Sequence, residues 1–377
     1  MSINKIVEEI GFFADKAQDE KDIETLRKIS EDCLEIINED GYTELEKGIL
    51  AYHGATSCSN LIFIKHKNIL FYDNDDQTSN EEDFEYSMYL YRKSIECLTE
   101  FKKQSIGVET DQQELIYCEE YLKMSYTNYS NFLHQCGRII RGIHHLRKLV
   151  GKGFPMAIGN YAGFLIDYGD YDYDPGHKAL LANEAYRLLS ELLTNKVEFI
   201  HQSAKDHFVF LKRKLESVFD IDFLENSMLL DEYNLGECDD EISYRKWCLE
   251  NVLFLNQLND VFATSAVSQD ILHLPNIVTK IDEGTRIHGL FNQLKQEYVS
   301  ARYMVFDGLY RTQTHFSDKE VHLVNTLDYP VYGLGVEKLK YAYRSLYSLF
   351  DRIAFLINDY FQLGIKDHDV SFRSIWN

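Results

Sequence analysis

Proline is scarce in this chain, with four in 377 residues. Each of them, Pro155, Pro175, Pro275 and Pro330, falls near a proposed element boundary. A proline inside a helix removes a backbone donor and clashes with the preceding turn, so this scarcity predicts an all-α chain. Long apolar runs are missing too. No window approaches the 18 or more apolar residues of a membrane span, and the first twenty residues, MSINKIVEEIGFFADKAQDE, carry charges throughout with no apolar core of signal length. The seven cysteines lie far apart, with neither CxxC nor a Cys/His pattern of zinc spacing. They are expected to be reduced thiols in a cytoplasmic protein with no metal site. There is no GxGxxG after a strand, no P-loop, no HExxH and no GxSxG, which excludes the common nucleotide-driven and hydrolytic enzymes; no cofactor is expected. Cations are also short: 39 Lys and Arg face 61 Asp and Glu, for a net charge of -22. The chain therefore has no general affinity for polyanions. Any RNA binding must be local, near Lys338, Lys340, Arg344 and Arg352, or be completed by a dimer.

What is present is ample apolar material, 45% of the residues, enough for the cores of two or three domains. Aromatic residues make up 14%, chiefly Tyr and Phe; at helical spacing they serve packing first and base stacking second. Periodicity and stop signals predict helices over 3–17 and 23–37, the second ending at Asp40-Gly41. Helix pairs follow at 42–66 with 84–101, 115–135 with 138–150, and 155–168 with 178–193, the first pair separated by a polar acidic loop over 73–83. Pairs stacked in order suggest a solenoid similar to tetratricopeptide repeats, although the period is irregular. Asp170, Asp172 and Asp174 have the odd-numbered spacing of a calcium loop, but Pro175 stands where that loop needs glycine and Leu181 where it needs glutamate. A solvated turn is the expectation there.

Two long stretches dominate the C-terminal third, residues 291–310 and residues 339–363. In the second, Leu339, Tyr343, Leu346, Phe350, Ile353, Ile357 and Tyr360 alternate spacings of four and three, which predicts a helix packed along its length through that face. Arg344, Asp351 and Asn358 recur every seven residues on another face, beside Ser348. That stripe is either a solvated surface or a ligand groove or subunit interface.

Several motifs occur in the order found in bacterial proteins that join tetratricopeptide-like (TPR) repeats to a HEPN domain. They are TNYSNFLHQCGR (127–138), GFPMAIGNYAGFLIDYGDYDYDPGH (153–177), YRKWCLENVLFLNQLND (244–260), FNQLKQEYVSAR (291–302), NTLDYPVY (325–332), YRSLYSLFDRIAFLINDYF (343–361) and the terminal SFRSIW. The chain resembles that family from about residue 121 onward. The resemblance implies a TPR-like repeat array over 1–235 followed by a HEPN-like helical bundle over 236–377. It further implies a metal-independent ribonuclease or toxin-like effector in a toxin or antiviral defence role, a homodimer, with RNA as substrate and a protein partner on the repeats. In such an enzyme a His moves protons during attack of a ribose 2′-hydroxyl and an Arg stabilises the phosphorane charge.

The family's Arg-x(4–6)-His motif is not found where it is expected. It belongs on a helix later than 339–363, so the sequence as given is expected to lack the catalytic helix. Arg311 and His315 have three residues between them rather than four to six, and are read as sharing one helical face. Arg138 and His144 satisfy the spacing but sit in the repeat region, where the match carries almost no information. The candidate site residues are thus Arg344, Asp351, Glu297, Arg302, Arg311 and His315, with Glu297 and Arg302 directed inward by analogy. The alternative to an enzyme is a non-catalytic TPR/HEPN scaffold for protein–protein interaction.

Overall fold

The computed structural model describes residues 5–65, 77–194, 201–226, 230, 232–275, 286–310, 313–324, 327 and 331–376. Among the described residues every regular element is helical. The chain divides into two units, Met1–Met228 and Leu229–Asn377.

The first unit contains α1 (Lys5–Glu20), α2 (Ile23–Ile36), α3 (Glu44–Lys65), α4 (Gln77–Gln104), α5 (Gln112–Gln135), α6 (Ile139–Val150), α7 (Pro155–Tyr171), α8 (Pro175–Thr194), α9 (Gln202–Val218) and the short α10 (Ile221–Glu225). Local chemistry sets their starts. Thr43 and Glu46 form a reciprocal capping box at α3, with Thr43 N–H donating to Glu46 Oε2 at 2.9 Å and Glu46 N–H to Thr43 Oγ1 at 3.2 Å. Asp22 accepts from Thr25 N–H at 3.1 Å and Asp111 from Gln113 N–H at 2.8 Å, and Pro155 occupies the first turn of α7.

Successive helices pack on one another, with α3 at the centre of α1, α2, α4 and α5. The core runs from Cys33, Leu50 and Ala55 through Leu90 and Leu98 to Phe132 and Leu133. Glycines let the helices approach closely: a Cβ on Gly48 would lie 2.6 Å from Leu98, and one on Gly159 would lie 2.1 Å from the Phe208 ring. The acidic stretch expected as a loop over 73–83 is different from residue 77 onward, where it forms the first turns of α4; residues 73–76 lie outside the described residues. Asp83 is buried there and receives both guanidinium nitrogens of Arg27 at 3.2 and 3.0 Å, a partner 56 positions away that no local reading reveals. The three aspartates near residue 172 act as joints. Asp170 binds Lys178 and Lys214, Asp172 meets His177 Nδ1 at 3.2 Å, and Asp174 accepts from the N–H groups of Gly176 and His177 to open α8.

The second unit holds α11 (Asp239–Glu250), an irregular segment over 251–275, α12 (Arg286–Tyr310) and α13 (Leu334–Phe361). Ion pairs join Arg286 to Asp359, Glu297 to Arg352 and Asp307 to Lys338. Ascending positions on α12 meet descending positions on α13, so the two run antiparallel. Gly308 and Gly335 cross without side chains between them; a Cβ on Gly308 would stand 2.8 Å from the Gly335 carbonyl.

The buried positions of α13 are not those of the expected face. Ala342, Leu349, Ala354 and Asn358 are buried, whereas Tyr343 is 70% exposed and Phe350 48%. Ala354 and Asn358 are covered by residues 365–376, the expected face meets α12 through Leu339 beside Gly308, and its aromatics Tyr343 and Phe350 are left outside. Asn358 is likewise no member of a solvated stripe. It is buried and clasps Ile365, donating to its carbonyl at 2.9 Å and accepting from its N–H at 3.1 Å.

Candidate functional site

Arg302, on α12, is the best-connected candidate. Only 3% of its side chain is exposed. It binds Asp270 through two nitrogens at 2.8 Å each, the Tyr244 hydroxyl at 2.9 Å and the Leu253 carbonyl at 2.7 Å. The rings of Phe254, Tyr244 and Tyr298 surround its guanidinium carbon at 5.0 to 5.6 Å. Burial opposes the charge on Arg302, but the bonds to Asp270 and Tyr244 outweigh it and hold the guanidinium more firmly protonated. Burial also works against the Asp270 carboxylate; Arg302 and the Leu255 N–H overcome it and keep its pKa below the usual value. The Tyr244 hydroxyl goes the other way, pushed up to about 12 by burial. Lys295 adds bonds to the carbonyls of Asp270 and Leu272 at 3.0 and 2.6 Å. This cluster pins the segment 251–275 and α11 onto α12, so Arg302 holds the unit together.

The other predicted residues separate. Glu297 is engaged by Arg352, and Asp351 accepts the Phe372 N–H at 3.0 Å. Arg344 stands exposed and forms no ion pair among the described residues. His315 lies past the end of α12 in extended backbone (φ -65°, ψ 148°), so it does not share a helical face with the preceding residues; Arg311 lies outside the described residues. Arg138 and His144 belong to the first unit, at the start of α6. Of the four cations singled out for local RNA contact, Lys338, Lys340 and Arg352 are each paired with a carboxylate, Asp307, Glu337 and Glu297 respectively.

A cleft of about 1340 Å³ lies between α11, the second half of α12 and residues 313–319. An aromatic ladder lines it. Tyr244 and Trp247 lie stacked with centroids 6.4 Å apart, Trp247 meets Phe306 at 5.5 Å, Tyr244 meets Tyr303 at 5.4 Å, and Phe306 meets Tyr310 at 5.0 Å. Four carboxylates (Asp240, Glu241, Glu250, Asp307) and three cations (Arg245, Lys246, Lys319) share its walls. Two of the carboxylates are neutralised, Glu241 by Arg245 at 3.0 Å and Asp307 by Lys338. The cleft therefore offers flat rings in a nearly balanced field, suited to stacking rather than to gripping phosphates.

His315 sits on its rim. Its Nδ1 accepts from the Ser317 N–H at 3.2 Å and lies 2.7 Å from the Ser317 hydroxyl. With Nδ1 committed as acceptor, the neutral ring carries its proton on Nε2 and presents a donor. Sequence reasoning picked out His315 and Arg302 but missed Asp270 and the ladder. The only local hint was the density of rings in YRKWCLENVLF. Among the described residues no cluster of His, Cys, Asp and Glu has the makings of a metal site.

No helix among the described residues is long and apolar enough to cross a membrane. No curated protein and no solved structure matches the chain. Residues 278–377 match the family described as LA2681-like HEPN, and this stretch contains α12 and α13, the antiparallel pair that carries Arg302 and one wall of the cleft. The second unit therefore carries a C-terminal HEPN-family domain.

Proposed function

We propose that the second unit is a HEPN-type RNA-targeting module that takes unpaired RNA into the aromatic cleft, and that the first unit is a TPR-like array that receives a protein partner in a toxin or defence role. One observation carries this reading: the ladder of Tyr244, Trp247, Tyr303, Phe306 and Tyr310 shares a cleft with His315 in the unit that holds the HEPN match. Bases stack on such rings with little regard to sequence. In the ribonuclease form of the proposal, a ribose 2′-hydroxyl gives its proton to water and attacks the adjacent phosphorus, forming a 2′,3′-cyclic phosphate as the bond to the 5′-oxygen breaks. In this reading the imidazolium form of His315 gives the proton that the leaving 5′-oxygen takes up. The expected Arg partner, Arg311, is outside the described residues.

A second reading, a non-catalytic scaffold, is favoured by the engagement of Arg302, Glu297 and Asp351 in bonds within the chain. One experiment separates the two. The full chain is incubated in EDTA with fluorescent single-stranded RNA, a structured RNA and transfer RNA. The proposal expects binding of unpaired RNA, weakened roughly tenfold or more by Trp247→Ala. Cleavage lost in His315→Ala supports the ribonuclease form; binding without cleavage supports the scaffold; no binding at all refutes the RNA reading.

A further inference from the structure

The first unit carries a strip of positive charge on α6. From Arg138 to Lys152 the sequence holds five Lys and Arg and no Asp or Glu, in a chain whose net charge is -22. Gly142, Ile143, Leu146 and Leu149 form the buried side of this helix, packed on α5 and α7, so Arg141 and Lys148 stand on its outer side, seven residues and about 10.5 Å apart along the axis. On the neighbouring helices cations are consumed locally: Lys102 and Lys123 meet Glu119 and Glu120 at 2.8 and 2.7 Å. Among the described residues Arg138, Arg141, Lys148 and Lys152 enter no ion pair. Lys148 lies over the Tyr126 ring, 5.7 Å from its centroid, and Arg138 donates to the Met88 sulfur at 3.6 Å. A recess of about 370 Å³ opens beside the two arginines, lined by Gly137, Arg138, Ile139, Ile140, Arg141 and His144, and Ile140 is 43% exposed.

We infer that this strip docks an acidic amphipathic helix of a partner protein, with an aliphatic side chain of that helix in the recess and its flanking carboxylates on Arg138, Arg141 and Lys148. Charge selects the occupant. The guanidinium forks match carboxylates, and Arg138 and Arg141 stand toward the positive end of the α6 dipole, where a negative neighbour relieves them. At physiological ionic strength fields decay within about 8 Å, so the strip attracts an acidic helix at close range while the rest of this acidic chain turns it away. Spacing agrees with charge. Carboxylates seven residues apart on one helix face repeat at about 10.5 Å, the interval from Arg141 to Lys148. The chemistry favours a peptide over a nucleic acid: residues 137–153 include no Phe, Tyr or Trp on which a base would stack, whereas Ile139 and Ile140 give the recess an aliphatic floor. The inference rests on the reading of the first unit as an array that receives a protein partner, and not on the RNA reading of the second.

The test is fluorescence anisotropy of the full chain with a labelled peptide of about four helical turns, built of Leu, Ala and Glu with the leucines on one face and the glutamates flanking them. Binding is expected on the order of 10 µM at about 50 mM salt, weakening roughly tenfold at about 200 mM. Arg138→Glu combined with Arg141→Glu should weaken it roughly tenfold or more. Glutamates at the start of α6 suit its dipole, so this variant keeps the helix. Lys5→Glu combined with Lys16→Glu makes the same change in net charge on α1 and should leave binding within about twofold. Equal loss in the two double variants overturns the inference. So does a reversal on α6 that removes binding of single-stranded RNA but not of the peptide, which would make the strip a phosphate site. A peptide with Gln in place of Glu that binds as well as the acidic one overturns it while the partner reading of the first unit stands; binding of neither peptide at about 200 µM chain tells against both.

Discussion

Replacing Arg302 with methionine probes the construction of the second unit. The substitution keeps an apolar stem of similar length but deletes both bonds to Asp270, the bond to Tyr244, one bond to Leu253 and three ring contacts. Removing one member of a buried pair costs about 3–5 kcal/mol, mainly because the other charge is stranded. Asp270 keeps the Leu255 N–H at 2.8 Å and 22% side-chain exposure, and Leu253 keeps the Tyr298 hydroxyl at 2.9 Å. The lower end, about 3 kcal/mol, is therefore expected, or roughly 10 °C in Tm for a unit of this size. The assay is built into the sequence, since both tryptophans, Trp247 and Trp376, lie in this unit and report its unfolding in urea without contribution from the first.

The pH dependence supplies a second signature. In the wild type the Asp270 pKa is lowered, so its contribution is present above the unfolded carboxylate value near ~3.9 and is lost as pH falls through the folded value. In Arg302→Met, burial acts without its counterweight and raises the Asp270 pKa, so protonation relieves the stranded charge. The deficit against wild type should be largest at pH 7 and shrink toward pH 4. A deficit below about 1 kcal/mol at pH 7, or one that stays constant between pH 7 and pH 4, would refute the reasoning.

Two further outcomes are expected. His53 is buried among Tyr52, Tyr121 and Gly11, and burial drives its pKa down to about 4. Its contribution is intact above the unfolded value of ~6.5 and falls away as pH drops toward the folded value, about 3 kcal/mol in all, so the first unit should lose stability over that window and His53→Gln should flatten the loss, as followed by circular dichroism in urea. Asn358→Ala deletes both bonds to Ile365; it should cost about 1–3 kcal/mol and expose Lys366 and Arg373 to trypsin well before the rest of the chain, whereas unchanged proteolysis would show that Val370 and Ile375 hold the segment by themselves.

Much of the fold was legible because helices announce themselves locally. Thr43 with Glu46, Asp111, Pro155 and the few prolines mark helix starts through bonds within three residues, and these do not depend on the rest of the molecule. Which face of a helix is buried is a different matter. The spacing of Tyr343, Leu346, Phe350 and Ile353 establishes an apolar face on α13, but the buried positions are Ala342, Leu349, Ala354 and Asn358, the last two because residues 365–376 turn back onto them, which the period of the helix does not reveal. The residues of the site were legible only one at a time. Arg302 is one charge on an amphipathic helix until Asp270, 32 positions earlier in an irregular segment, is folded against it. Asp351 is a surface carboxylate until the Phe372 N–H, 21 positions later, turns back onto it. The cleft unites rings of α11 and α12 that are distant in sequence, and no periodicity connects them.

The most direct test of the central claim is photocrosslinking of a 4-thiouridine-bearing single-stranded RNA to the full chain in EDTA, followed by peptide mass spectrometry. The account predicts crosslinks in peptides spanning residues 239–250 and 295–319, the walls of the aromatic cleft, and their loss in Trp247→Ala. Crosslinks confined to residues 1–228, or none at any RNA concentration that saturates binding, would contradict it.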